Sequence, residues 1–157
     1  MAEELKILTG TREEQYRALI PQIKALLEGE PDQIANMANV CAALKAQFEW
    51  LWIGFYLVRN EQLVLGPFQG PVACTRIGYG KGVCGTAWAR GETVLVPDVE
   101  QFPGHIACSS LSRSEIVVPL LRDGRVHGVL DIDSIELDAF NKTDQRYLEE
   151  IVGLLTS

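Results

Sequence analysis

An α+β domain, with a mainly antiparallel central sheet and helices packed on one side, is predicted by three features of this chain. Helical periodicity occupies both ends, in two stretches at the N-terminal side and one at the C-terminal side. Two pairs of aliphatic and aromatic runs lie between them, each pair joined by a tight turn, which is the pattern of antiparallel hairpins. A glycine-rich, irregular middle separates the two hairpins. Strands grouped in this way and flanked by helices make an antiparallel sheet with a helical layer.

The elements follow in order. Residues 11–28 place Tyr16, Leu19, Ile20, Ile23, Leu26 and Leu27 at helical spacing, with Pro21 expected to kink or restart the helix. A second helix is expected from Pro31, a favoured first position, to about Gln47, with Ile34, Met37, Ala38, Cys41, Leu44 and Phe48 as its apolar stripe. Leu51 to Val58 reads as a strand, and Gln62 to Gly66 as its partner across the turn at Arg59, Asn60 and Glu61. A short helix over about 82–90 precedes a brief strand at Thr93 to Val96. Pro97 to Ser114 shows neither period, and a loop of that length in a compact domain is usually functional or disordered. Glu115 to Leu121 and Arg125 to Asp133 form the second hairpin around Asp123 and Gly124. Asn141 caps a last helix from about Lys142 to Leu155, with Tyr147, Leu148, Ile151, Val152 and Leu155 as its apolar face.

Composition narrows the function. The 157 residues fit one domain spanning 1–157, with no repeat or linker dividing them. At 47% hydrophobic and 22% charged residues the chain is expected to fold without a staple. The longest apolar stretch, Leu51 to Val58, falls short of the roughly 20 residues a membrane span needs. The N-terminal MAEELKILTG has acids where a signal peptide carries basic residues, so a cytoplasmic protein is expected. A net charge of −7, with no basic cluster, argues against nucleic acid as a partner.

Four cysteines are too few for a disulfide scaffold. Cys41, on the stripe of the second helix, reads as core. Cys74, Cys84 and Cys108 fall in or beside the glycine-rich middle, where three readings compete. They are small buried residues, or zinc ligands with His105 or His127, or a nucleophilic thiol with resolving partners. Gaps of ten and twenty-four residues lack the close pair of a structural zinc site. Polar, mobile, glycine-flanked backbone suits thiolate chemistry, which slightly favours the third reading.

The carboxylates add weight. Asp131 and Asp133 fall on one face of a strand, and Glu115 opens its hairpin partner. Either the aspartates sit at a fraying strand end in water, or two or three acids converge and call for an ammonium group, a metal or a shared proton. Trp50, Trp52, Phe55 and Tyr56 are aromatics of the ordinary core type, one of which can instead wall a small apolar pocket. His105, three residues before Cys108, can lower the pKa of that thiol.

Six strings together carry a resemblance: WIGFY (Trp52–Tyr56), LVLGPFQG (Leu63–Gly70), GKGVCG (Gly80–Gly85), GHIACSS (Gly104–Ser110), SEIVVP (Ser114–Pro119) and GVLDIDS (Gly128–Ser134). They resemble the free methionine-(R)-sulfoxide reductases, catalytic members of the GAF-domain fold, over essentially the whole chain. The resemblance implies a GAF-like catalytic domain that reduces free L-methionine-(R)-sulfoxide and is regenerated by thioredoxin. It implies no metal or organic cofactor, and often a homodimer. Cys108 matches the catalytic nucleophile, and Cys84 and Cys74 match thiols that can close a disulfide with it. Glu115, Asp131 and Asp133 match the acids of the substrate pocket, and Trp52 matches an aromatic wall near the substrate methyl group.

Of the two resolving candidates, Cys84 ranks first on local sequence, beside glycines at a helix start whose dipole favours a thiolate. Glu115, then Asp133, are the expected proton donors to the sulfoxide oxygen. A sensory module that binds an amino-acid-like ligand is the alternative from another class, although the chain leaves no room for an output domain after its last helix.

Overall fold

The structure is a computed structural model and describes residues 4–156, so residues 1–3 and 157 of the expected domain lie outside it. Helix α1 spans Arg12–Leu27 and α2 spans Gln33–Phe48. Strands β1 (Trp52–Arg59), β2 (Gln62–Gln69) and β3 (Arg76–Gly78) lead to α3 (Gly82–Arg90). Strand β4 (Val94–Val96) and a 3₁₀ turn (Val99–Gln101) precede β5 (Ser114–Arg122), β6 (Arg125–Ser134) and α4 (Lys142–Thr156). All six strands join one antiparallel sheet in the order β3-β2-β1-β6-β5-β4.

Local chemistry sets the ends of these elements. Thr11 and Glu14 form a reciprocal capping box at α1, and Asp32 caps α2. The helix expected from Pro31 therefore begins at Gln33. Asn141 caps α4 by accepting from the Thr143 amide at 2.9 Å, and Asp144 returns a bond to the Asn141 amide. Pro21 lies exposed inside α1, which continues past it to Leu27 without a restart. Both hairpins turn through two residues with positive φ, Asn60 and Glu61 in the first and Asp123 and Gly124 in the second. This is the turn whose twist matches paired strands.

Helices α1, α2 and α4 cover one sheet face, where Ile53, Phe55, Ile116, Val118, Leu130 and Ile132 are buried. Cys41 belongs to this core, 1% exposed, and burial pushes its thiol up to about 12. The helical layer on one side is thus built by the three long helices. The short helix α3 lies on the other face, against β5 and β6, where Val83, Cys84 and Ala87 pack with Tyr56, Val117 and Val129. Strand β5 is buried on both faces from Ser114 to Leu120, so the sheet needs a second cover there. Among the described residues, no helix is long and apolar enough to cross a membrane.

One buried polar knot ties the two ends of the chain together. Asp144, 1% exposed, accepts from the Tyr16 hydroxyl at 2.6 Å and from Arg12 at 2.7 Å. Asp144→Ala strands both donors and opens the cap of α4. It is expected to cost about 2–3 kcal/mol, read as a lower urea midpoint at unchanged slope.

Candidate active site

The registers of β5, β6 and β1 assemble the site on the face that α3 covers. Glu115 lies opposite Asp133, and Asp133 opposite Trp52, so the three side chains form one row across three strands. The next row holds Val117, Asp131 and Gly54. Asp131 and Asp133 share a face, as the period of 2 predicts, but that face is closed. Glu115 is 5% and Asp131 6% exposed, and Asp133 is half-buried.

Gly54 makes room for the aromatic wall. A side chain there would collide with the indole of Trp52 and with Phe68. With hydrogen alone at Gly54, Trp52 folds back over the strand and stacks on Phe68 at 5.3 Å and on Tyr56 at 5.8 Å. Its indole N–H donates to the carbonyl of Pro71 at 3.0 Å. Opposite this wall, α3 brings in Cys84. Gly85 allows the close approach, since a Cβ there would run into the backbone of Gly78 and Gly80.

The long irregular loop before β5 supplies the rest. Ser112 donates to Asp133 at 3.1 Å, and His105 Nε2 lies 3.5 Å from Glu115 Oε1. Cys108, half-buried at the pocket mouth, is bonded to Cys74 with their Cα atoms 5.4 Å apart. Cys84 remains a buried thiol. The pocket holds about 50 Å³ of free space between Trp52, Tyr56, Cys84, Cys108 and the three acids, with Val72 and Ile106 at its rim.

Burial dominates the electrostatics. It raises the Glu115 carboxyl to about 8, helped by the charge of Asp133. Burial also lifts Asp131 well above its ordinary range, with Glu115 next, and Asp133 likewise, with Asp131 next. The Cys84 thiol is pushed up by burial and then by Asp131, and burial lowers His105. Asp131 Oδ1 is buried with no hydrogen-bond partner. The cluster thus has a vacant acceptor for a cation and a carboxylic acid that holds its proton at neutral pH. Cys84 sulfur and oxygens of Glu115 and Asp131 lie within 4.8 Å of one another.

Six of the seven residues expected from the sequence line this pocket, and the seventh, Cys74, joins it through its bond to Cys108. The bond is not the Cys84–Cys108 pairing ranked first from local sequence. Cys84 does sit at the start of a helix, but burial and three carboxylates outweigh the dipole and hold it as a thiol. Cys74 instead rides on a half-exposed segment without regular structure. His105, expected beside the Cys108 thiol, places Nε2 3.5 Å from Glu115 Oε1. Tyr56 was legible as a pocket residue, since it alternates with Trp52 and Gly54 on one strand face, whereas nothing in the sequence marks Ser112.

The GAF domain family matches residues 32–157. GAF domain-containing protein A of Dictyostelium discoideum is 62% identical over 99% of both chains. The free methionine-R-sulfoxide reductase of Escherichia coli is 46% identical, over 90% of this chain and 87% of that one. The X-ray structure of free methionine-R-sulfoxide reductase from Neisseria meningitidis, in complex with its substrate, superposes with a TM-score of 0.97 at 54% identity. That match covers 99% of this chain and 94% of the other.

Because Glu115 is raised from 4.5 to about 8, the stability its neutral form contributes is complete below about pH 4.5 and lost as pH rises through about 8. Substrate-free reduced protein is expected to lose about 4 °C or more in Tm across that window. Glu115→Gln, neutral at every pH, removes this group's share of the loss and leaves the share of Asp131 and Asp133. Calorimetry of both proteins across that range checks this.

Proposed function

The chain belongs to the free methionine-R-sulfoxide reductases of the GAF-domain family, and on that basis we propose how its pocket reduces free L-methionine-(R)-sulfoxide. The observation that carries the proposal is that Cys108 lines the same pocket as the buried Glu115 and Asp131 and the half-buried Asp133. The substrate α-ammonium group pairs with the acids and takes up the vacant Asp131 acceptor. The indole of Trp52 walls the methyl end.

In the reduced enzyme the Cys108 thiolate attacks the sulfoxide sulfur. The oxygen takes a proton from Glu115, the acid whose raised pKa keeps it loaded at neutral pH, with Asp133 as the neighbouring donor. Oxygen passes to Cys108 as a sulfenic acid, methionine leaves, and the sulfoxide sulfur is reduced by two electrons. The Cys74 thiol then attacks the sulfenic sulfur, the S–S bond forms, and water departs with the thiol proton. Thioredoxin, a dithiol protein, reduces that disulfide by exchange. The Cys74–Cys108 bond supports Cys74 as the first resolving thiol, with Cys84 as the second candidate in the same pocket. A reducing compartment such as the cytoplasm suits this cycle.

The test is a coupled assay with thioredoxin, its reductase and the two epimers of free methionine sulfoxide. Turnover of the (R) epimer alone is expected, and (S) turnover at a similar rate contradicts the reading. In single turnover without reductant, Cys108→Ser should release no methionine. Cys74→Ser should still release one equivalent but lose at least about tenfold in thioredoxin-dependent turnover. Cys84→Ser should retain both steps, and a Cys84–Cys108 bond in peptide maps of oxidised wild type restores the opposite ranking.

A further inference from the structure

We propose that Tyr56 is a positioning residue for disulfide formation: its hydroxyl holds the Cys74 backbone so that the resolving sulfur stays within reach of Cys108. The inference rests on the assignment of Cys74 as the resolving thiol.

Cys74 lies between β2 and β3, in a stretch with no regular structure to hold it. A disulfide needs its two Cα atoms about 4.4–6.8 Å apart, and a free segment spends little time in that window. Here the separation is 5.4 Å. Three hydrogen bonds restrain the segment. The Leu65 amide donates to Thr75 at 2.9 Å, the Trp52 indole to Pro71 at 3.0 Å, and the Tyr56 hydroxyl to the carbonyl of Cys74 itself at 2.9 Å. The last acts on the reacting residue directly.

Tyr56 is a rigid anchor. It is 2% exposed, sits inside β1 between Leu65 of β2 and Val129 of β6, and stacks on Trp52. Phenylalanine fills the same space in a core, so the particular contribution of tyrosine here is its hydroxyl. Burial and the surrounding carboxylates keep that hydroxyl protonated, hence a donor. The ring lines the substrate pocket while the hydroxyl reaches the resolving segment, so one side chain joins the two halves of the cycle. The hydroxyl exchanges no electrons. It raises the effective concentration of the Cys74 thiol at the Cys108 sulfenic acid, where the S–S bond forms and water leaves.

The experiment compares wild type, Tyr56→Phe and Cys74→Ser, each fully reduced and mixed with free methionine-(R)-sulfoxide without reductant. Methionine release, capture of sulfenic acid on Cys108 by a cyclic 1,3-diketone, and disulfide by peptide mass are followed in time. Tyr56→Phe is expected to release one equivalent of methionine, and the rate of that release, read in the same run, is the reference for the second step. Its disulfide should close about five- to tenfold more slowly, the order of one hydrogen bond, with a matching rise in captured sulfenic acid. Closure at the wild-type rate, or an equal slowing of release and closure, overturns the tether. If Cys74→Ser still closes a disulfide on Cys108 at the wild-type rate, the resolving assignment fails instead.

Discussion

Three carboxyl groups converge in one pocket, two of them buried and the third half-buried, and ionising all of them together is costly. The cost of removing charge from water lifts Glu115, Asp131 and Asp133 together, and each makes ionisation of its neighbours harder. Such a cluster is stable in two conditions: holding protons, or facing a cation. The first state supplies an acid at neutral pH, and the second recognises an ammonium group. On the proposed reading the function of the site follows from this one constraint, because methionine sulfoxide as a free amino acid brings the cation and also needs the proton.

The fold exists around that cluster in a physical sense. Antiparallel registers align the acids with Trp52 across three strands, and Gly54 removes the side chain that would otherwise hold the indole off the sheet. Helix α3 and the loop carrying Cys108 close the pocket from the other side. The three long helices stay on the far face, where mainly apolar packing makes the sheet a fixed platform. Reactive sulfur is thereby divided by environment. Cys41 is buried in that core, Cys84 is a thiol against the acids, and Cys74 and Cys108 lie on irregular segments where exchange chemistry has access.

Most of this was legible from short-range pattern. The two tight turns were marked by residues that tolerate positive φ, Asn60 and the Asp123–Gly124 pair, and α4 by Asn141. The period of 2 put Asp131 and Asp133 on one side, and the hairpin brought Glu115 beside them. Strand β3 escaped because three residues carry no period, and only pairing with β2 defines it. The face on which α3 packs and the pairing of Cys108 with Cys74 are tertiary facts. Glycines and a helix start describe Cys84 locally, but its burial comes from strands far away in sequence. The tie between Tyr56 and Cys74 joins residues 18 apart and left no trace in spacing.

The claim that the buried acids recognise an ammonium group is tested most directly by binding without turnover. Reduced Cys108→Ser protein, titrated by calorimetry with free methionine-(R)-sulfoxide and with its N-acetyl derivative, isolates that interaction. The account predicts at least about tenfold weaker binding of the N-acetyl compound, the worth of charge-assisted hydrogen bonds to a buried carboxylate. Equal affinity for the two would contradict it.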